Sequence, residues 1–244
     1  MLLTSLCTLA VLATAQTARA DVSIDQLVFT EIGDGYAVAT NGELEGILDI
    51  PAEYNGKPVT IIEAEGFAWQ PELTEVNIPS TVGTIENYAF CECINLQKVN
   101  LSEGLSSIDG QAFAFCYSLS EINFPSTLLE IGDGAFSNCT SLKSIELPEG
   151  PYYIGNGCFL ESGLEEIYIP QSIEYFNDQA FFVSSLKSVH YNCTLGPWVD
   201  IFDTQIFNPE SYETATLYVP EASIEKIKKT AQAEIPVHGF WEKC

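Results

Sequence analysis

Residues 131–148 read IGDGAFSNCTSLKSIELP. Their Gly132-Asp133-Gly134 has the look of a ligand-cradling loop, and equally of a spacer inside a repeat. The rest of the chain decides between the two. Aligned on Phe136, the sequence places Phe67, Phe90, Phe113, Phe136 and Phe159 at steps of 23 residues, then Phe181 after 22. Other columns keep step: Leu73, Leu96, Leu119, Leu142, Leu164 and Leu186; Val76, Val99, Ile122, Ile145, Ile167 and Val189; Ile78, Leu101, Phe124, Leu147, Ile169 and Tyr191. Pro79, Pro125, Pro148 and Pro170 close the unit, with Ser102 interrupting, and Ile62, Ile85, Ile108, Ile131, Ile154 and Phe176 lead into each Phe.

The unit is therefore L-x-x-[VI]-x-[ILF]-P-(x5)-I-x-x-x-[GA]-F-(x5)-L. Within L-x-x-I-x-L the alternation sends Val76 and Ile78 to one face of a strand and Asn77 to the other. One strand per repeat, stacked in parallel, builds a solenoid whose apolar columns form a continuous core that no single repeat could bury alone. Short turns or single helical turns are expected around each Ala-Phe. Leu48, Ile50 and Pro51 supply an earlier strand behind an inserted YNGKP loop, and Leu217, Val219 and Pro220 a later one across a 28-residue unit. About eight rungs at about 4.8 Å spacing make a ladder of roughly 35 to 40 Å. DQLVFTEIGDGYAVAT reads as a hairpin turning at Gly33-Asp34-Gly35, and Ile224, Ile227 and Ala231 share a face of a short helix; both read as caps.

Gly132-Asp133-Gly134 thus falls where other repeats carry Glu86-Asn87-Tyr88, Asp109-Gly110-Gln111 or Gly155-Asn156-Gly157. It reads as one polar turn among several. The Lys-Ser/Thr of a phosphate loop does not follow it, and the Gly-Gly-x-Gly-x-Asp of repeat calcium sites is missing.

These residues resemble the repeat of the BspA-like leucine-rich-repeat proteins, I-G-x-x-A-F-x-x-C-x-x-L-x-x-I-x-[IL]-P, in register over residues 44–192. The tail ATLYVPEASIEKIKK is similar to the segment many such proteins carry after their last repeat. Departures are Ser102 for Pro, one residue fewer between Phe159 and Leu164, and Ile227 where relatives often carry an aromatic. The resemblance implies a leucine-rich-repeat solenoid, mainly parallel β, in an exported or surface protein with adhesion as the usual suggestion.

Export is also expected from the residues themselves. Residues 1–20, MLLTSLCTLAVLATAQTARA, combine an apolar run with a small-x-small end at Ala18-Arg19-Ala20 and read as a secretory signal peptide. No segment approaches the roughly 18 uninterrupted apolar residues of a spanning helix. The expected organisation is signal peptide 1–20, N-terminal cap 21–43, solenoid 44–220 and C-terminal cap 221–244. A formal net charge of −25, with Arg19 the single Arg, sets the chain against nucleic acid as a partner.

Eight cysteines leave seven after removal of the leader. Cys93, Cys116 and Cys139 share the column three residues after Phe, and Cys158 stands where other repeats have Ala, so these read as small residues filling a tight slot. No C-x-x-C pair suggests zinc, and no metal or other cofactor is expected. Cys193 and Cys244 lie outside the repeating columns and form a candidate disulfide in an exported chain. For catalysis, His190 and His238 are the only near-neutral bases, and neither stands in a nucleophile motif. No catalytic residue is assigned, and a hydrolase is the least favoured reading.

The best functional candidate is the outward strand column: Asn77, Asn100, Asn123, Glu146, Tyr168 and His190. Two positions earlier stand Glu75, Lys98, Glu121, Ser144, Glu166 and Ser188. The Asn residues read either as a recognition surface for peptide or sugar or as a stacked amide ladder. Tyr168 and His190 read either as plain exposed positions or as interface aromatics. The expectation is non-enzymatic binding of an extracellular or cell-surface protein or glycan through this face; the alternative is a structural subunit of a surface complex.

Overall fold

In a computed structural model describing residues 22–151, 153–173, 175–191 and 206–218, the chain winds into a parallel β solenoid. Eight strands climb one side: Glu45–Asp49, Glu72–Ile78, Lys98–Leu101, Glu121–Asn123, Ser144–Glu146, Glu166–Ile169, Ser188–Tyr191 and Thr216–Tyr218. Seven turns of chain join them. Residues 1–20, read above as a signal peptide, the helix expected at 224–231, Cys193 and Cys244 lie outside the described residues.

A second ladder, not foreseen as strands, climbs the other side. Lys57–Ile62, Thr84–Ile85, Ser107–Ile108, Glu130–Ile131, Tyr153–Ile154 and Tyr175–Phe176 pair in parallel, and the antiparallel hairpin Leu27–Ile32/Gly35–Thr40 extends them at one end. The column Ile62, Ile85, Ile108, Ile131 and Ile154 is completely buried between the ladders. Most of these strands are only two residues long, too short to show a period-2 pattern in the sequence.

Around Ala-Phe the chain makes turns that are not helical. Left-handed residues flank each Phe from Phe67 to Phe159, for example Tyr88 (φ 61°) and Glu92 (φ 59°) around Phe90. They swing alternate peptide groups along the stack, so Phe67 N donates to Ala89 O at 2.8 Å, Phe90 N to Ala112 O at 2.7 Å and Phe113 N to Ala135 O at 2.8 Å. An amide that a helix would bind within its own segment is bound instead by the next rung. Gly132 and Gly134 serve this geometry in different ways. A Cβ on Gly132 would stand 2.7 Å from Gly110 N, whereas Gly134 holds φ +61°.

Six Phe rings run up the middle, each completely buried. Phe67, Phe90, Phe113, Phe136, Phe159 and Phe181 stack with centroids 5.2–5.5 Å apart and planes within 11°. Beside them Cys93, Cys116 and Cys139 are buried, and each Sγ–H donates to the Phe carbonyl of the preceding rung, Phe67, Phe90 or Phe113, at 3.1–3.2 Å. The slot thus holds a weak donor as well as a small hydrophobe. Burial pushes the Cys93 thiol up to about 12 and raises those of Cys116 and Cys139, which keeps them protonated and unreactive at neutral pH. Gln70 opens this column and ties in the chain before the first rung, accepting from Leu44 N at 2.7 Å and donating to Gly42 O at 3.2 Å. A six-residue helix, Pro209–Thr214, capped by Asn208 Oδ1 accepting from Glu210 N at 2.9 Å, sits inside the longer last unit.

Candidate functional site

The alternation that buries Val76 and Ile78 turns Asn77 outward, and pairing in register repeats that choice on each rung. The outward column runs Asp49, Asn77, Asn100, Asn123, then Glu146, Tyr168, His190, Tyr218. It divides into two chemically different halves.

In the first half the side chains bond to one another. Asn77 Nδ2 donates to Asp49 Oδ1 at 2.6 Å, and Asn100 Nδ2 donates to Asn77 Oδ1 at 2.6 Å and to Glu75 Oε1 at 3.0 Å. This is an amide ladder with an acid at its foot. Asn123 leaves it. Its Nδ2 donates to Leu101 O at 2.7 Å and its Oδ1 accepts from Leu101 N at 3.2 Å, so one side chain takes backbone groups that a longer neighbouring strand would have paired.

In the second half rings stack. Tyr168 and His190 lie 4.1 Å apart with planes 12° from parallel, and His190 and Tyr218 lie 4.4 Å apart at 3°. Glu166 Oε1 lies 2.9 Å from His190 Nε2 and accepts from Ser188 Oγ at 3.0 Å. The hydrogen bond from His190, and then that from Ser188, holds the Glu166 carboxyl below its ordinary value. Desolvation, with the nearby Glu166 charge, raises the Tyr168 phenol, so it stays a neutral donor. A row of rigid amphipathic rings, edges to solvent and one carboxylate fixed beside them, offers apolar contact and directional hydrogen bonds together. Glu166 and Ser188 are legible in the sequence only as neighbours of the outward column, and Tyr218 is not part of that expected column. The alternation around Leu217 and Val219 already marked Tyr218 as outward, but the longer last unit hid its place in the column.

Between the halves the face parts. No ladder joins Glu121–Asn123 to Ser144–Glu146, so each is the edge of a four-stranded sheet. Ile122 and Phe124 are consequently half-buried, although Val76, Val99, Ile145 and Ile167 in the column of Ile122 are buried. The Phe124 ring stands edge-on to Phe136, with centroids 5.6 Å apart. A cleft of about 600 Å³ opens here, lined by Ile122 to Phe124, Ser144 to Glu149 and Pro170, with a hollow of about 330 Å³ beside it.

The model of the BspA type leucine rich repeat region matches residues 60–195 in six copies. The chain belongs to that family. Solved structures similar to it include the T. pallidum leucine rich repeat protein, at 23% identity and TM-score 0.66, covering 90% of this chain and 100% of that one. A leucine-rich repeat protein from Bacteroides ovatus aligns at 25% identity and TM-score 0.61 over 82% of this chain. A leucine rich cell surface protein from Faecalibacterium prausnitzii aligns at 23% and 0.65 over 81%. The chain spans 54% of the length of each of these last two. Among curated proteins none matches. The repeat makes a protein-interaction scaffold, and among the described residues no helix is long and apolar enough to cross a membrane.

Proposed function

We propose that the protein is a non-enzymatic binding scaffold that works outside the cell or at its surface and holds a protein partner on its strand face. The observation that carries this reading is the Tyr168–His190–Tyr218 stack with Glu166 locked beside it. Solenoid stacking fixes the rings before any partner arrives, which lowers the entropic cost of binding, and aromatic side chains are enriched where interfaces concentrate their energy. The surface role is supported by the leader-like residues 1–20, by the family and by the surface relative from Faecalibacterium prausnitzii.

The purified protein, immobilised against arrays of extracellular proteins and surface glycans, should bind at least one protein saturably. The paired substitution Tyr168→Ala and His190→Ala should weaken that binding by about tenfold or more, as removal of interface hot spots does, with thermal stability nearly kept. Binding unaffected by the substitutions would remove the aromatic face from the function, and binding to glycans alone would change the class of partner. A second reading, a subunit of a surface assembly, draws on the opposite flank. There Ile94 and Tyr117, one repeat apart, are exposed, and Phe115 lies edge-on to Tyr117.

A further inference from the structure

The parting of the strand face leaves two strand edges unpaired. The edges Glu121–Asn123 and Ser144–Glu146 look onto the same cleft without pairing. A strand edge presents one backbone N–H and one C=O at every second residue, about 6.6 Å apart, which an extended polypeptide matches and a sugar or a helix does not. The half-buried Ile122 and Phe124 supply an apolar floor for alternate side chains. Glu121, Glu146 and Glu149 stand on the cleft and hollow, and Lys98, the cation there, is already engaged by Glu121 at 3.7 Å. Pro148, which has no N–H to give, marks one end of the edge.

We propose that this cleft binds an extended, cationic segment of a partner polypeptide by strand addition. Backbone hydrogen bonds to one or both edges would give affinity, and Lys or Arg side chains at alternate positions would meet the acidic rim. A second copy of this chain is a poor occupant, because a net charge of −25 repels its like. The inference rests on the reading of the strand face as a binding surface and names what that face takes.

Three blocked seven-residue peptides test it against the purified protein by fluorescence anisotropy: one alternating Lys and Val, one with Glu for each Lys, and the Lys peptide N-methylated at alternate amides. The Lys–Val peptide should bind saturably, and each of the other two should bind at least about tenfold more weakly. Glu146→Lys, at an exposed position, should weaken the Lys–Val peptide by about tenfold. Glu53→Lys, at an exposed position of the short strand Glu53–Tyr54 and not among the lining of the cleft, should leave its affinity unchanged. Equal binding of the N-methylated peptide would show capture by charge without strand pairing and overturn the proposal, as would the absence of binding by all three. Silence from the peptides beside array binding that is lost with Tyr168→Ala and His190→Ala would remove the cleft alone. Silence in both experiments would remove the strand-face reading with it.

Discussion

The Phe spine and the strand face pass through the same rungs and treat the middle of the molecule differently. Phe113, Phe136 and Phe159 stack across the centre at the same 5.4 Å spacing on either side of Phe136. Behind them Ser107–Ile108, Glu130–Ile131 and Tyr153–Ile154 pair without a shift. On the face, at that level, the ladder stops and a cleft opens. The difference teaches which columns carry the stack. A completely buried ring touches the rungs above and below it, so its spacing is dictated from both sides. A strand at the surface is packed on its inner face only and otherwise held by its ladder bonds, and a few side chains can redirect those.

That contrast is open to direct attack. Phe136→Ala should cost the most, about 3–5 kcal/mol from transfer loss and cavity formation, read from denaturant unfolding as a fall in midpoint. The parted face should be far less sensitive. Asn123→Ala removes two hydrogen bonds to Leu101 at a solvent-exposed edge and should cost about 1 kcal/mol. Equal losses for the two variants would mean that the face carries the stack after all. The smallest effect concerns the ring row. The folded-state pKa of Glu166 lies below its ordinary 4.5, so its contribution to stability is present above about that pH and is lost as pH falls through the lowered value. With His190→Ala, which removes the strongest of its donors, the Glu166 midpoint followed by carboxyl-carbon NMR should move up toward the ordinary value. An unmoved midpoint would mean that the His190 contact does not persist in solution.

The two halves of the face also differ in what their side chains leave free. Asn77 and Asn100 spend their amides on neighbours in the ladder, which favours the structural role for them. Tyr168 and Glu146 remain exposed, and Glu146 borders the cleft. Selectivity for a partner therefore has more to work with from Ser144 upward than below it.

The period, the inward columns and the outward one are all written in the spacing of residues along the chain. A repeated Phe, a repeated Ile and an alternating strand each meet only their own copies one rung away, so local spacing fixes three-dimensional neighbours. Asn77, Asn100, Tyr168 and His190 were legible as outward for that reason. Four features emerge only in three dimensions: Asn123 bonds back to Leu101, Glu166 and Tyr218 join His190, the turns around Ala-Phe form a hydrogen-bonded ladder of left-handed residues, and the face parts at Ile122. Each of these depends on where side chains and peptide groups of different rungs meet within hydrogen-bonding or ring-contact distance, and a pattern of residue types repeated along the chain does not contain that distance.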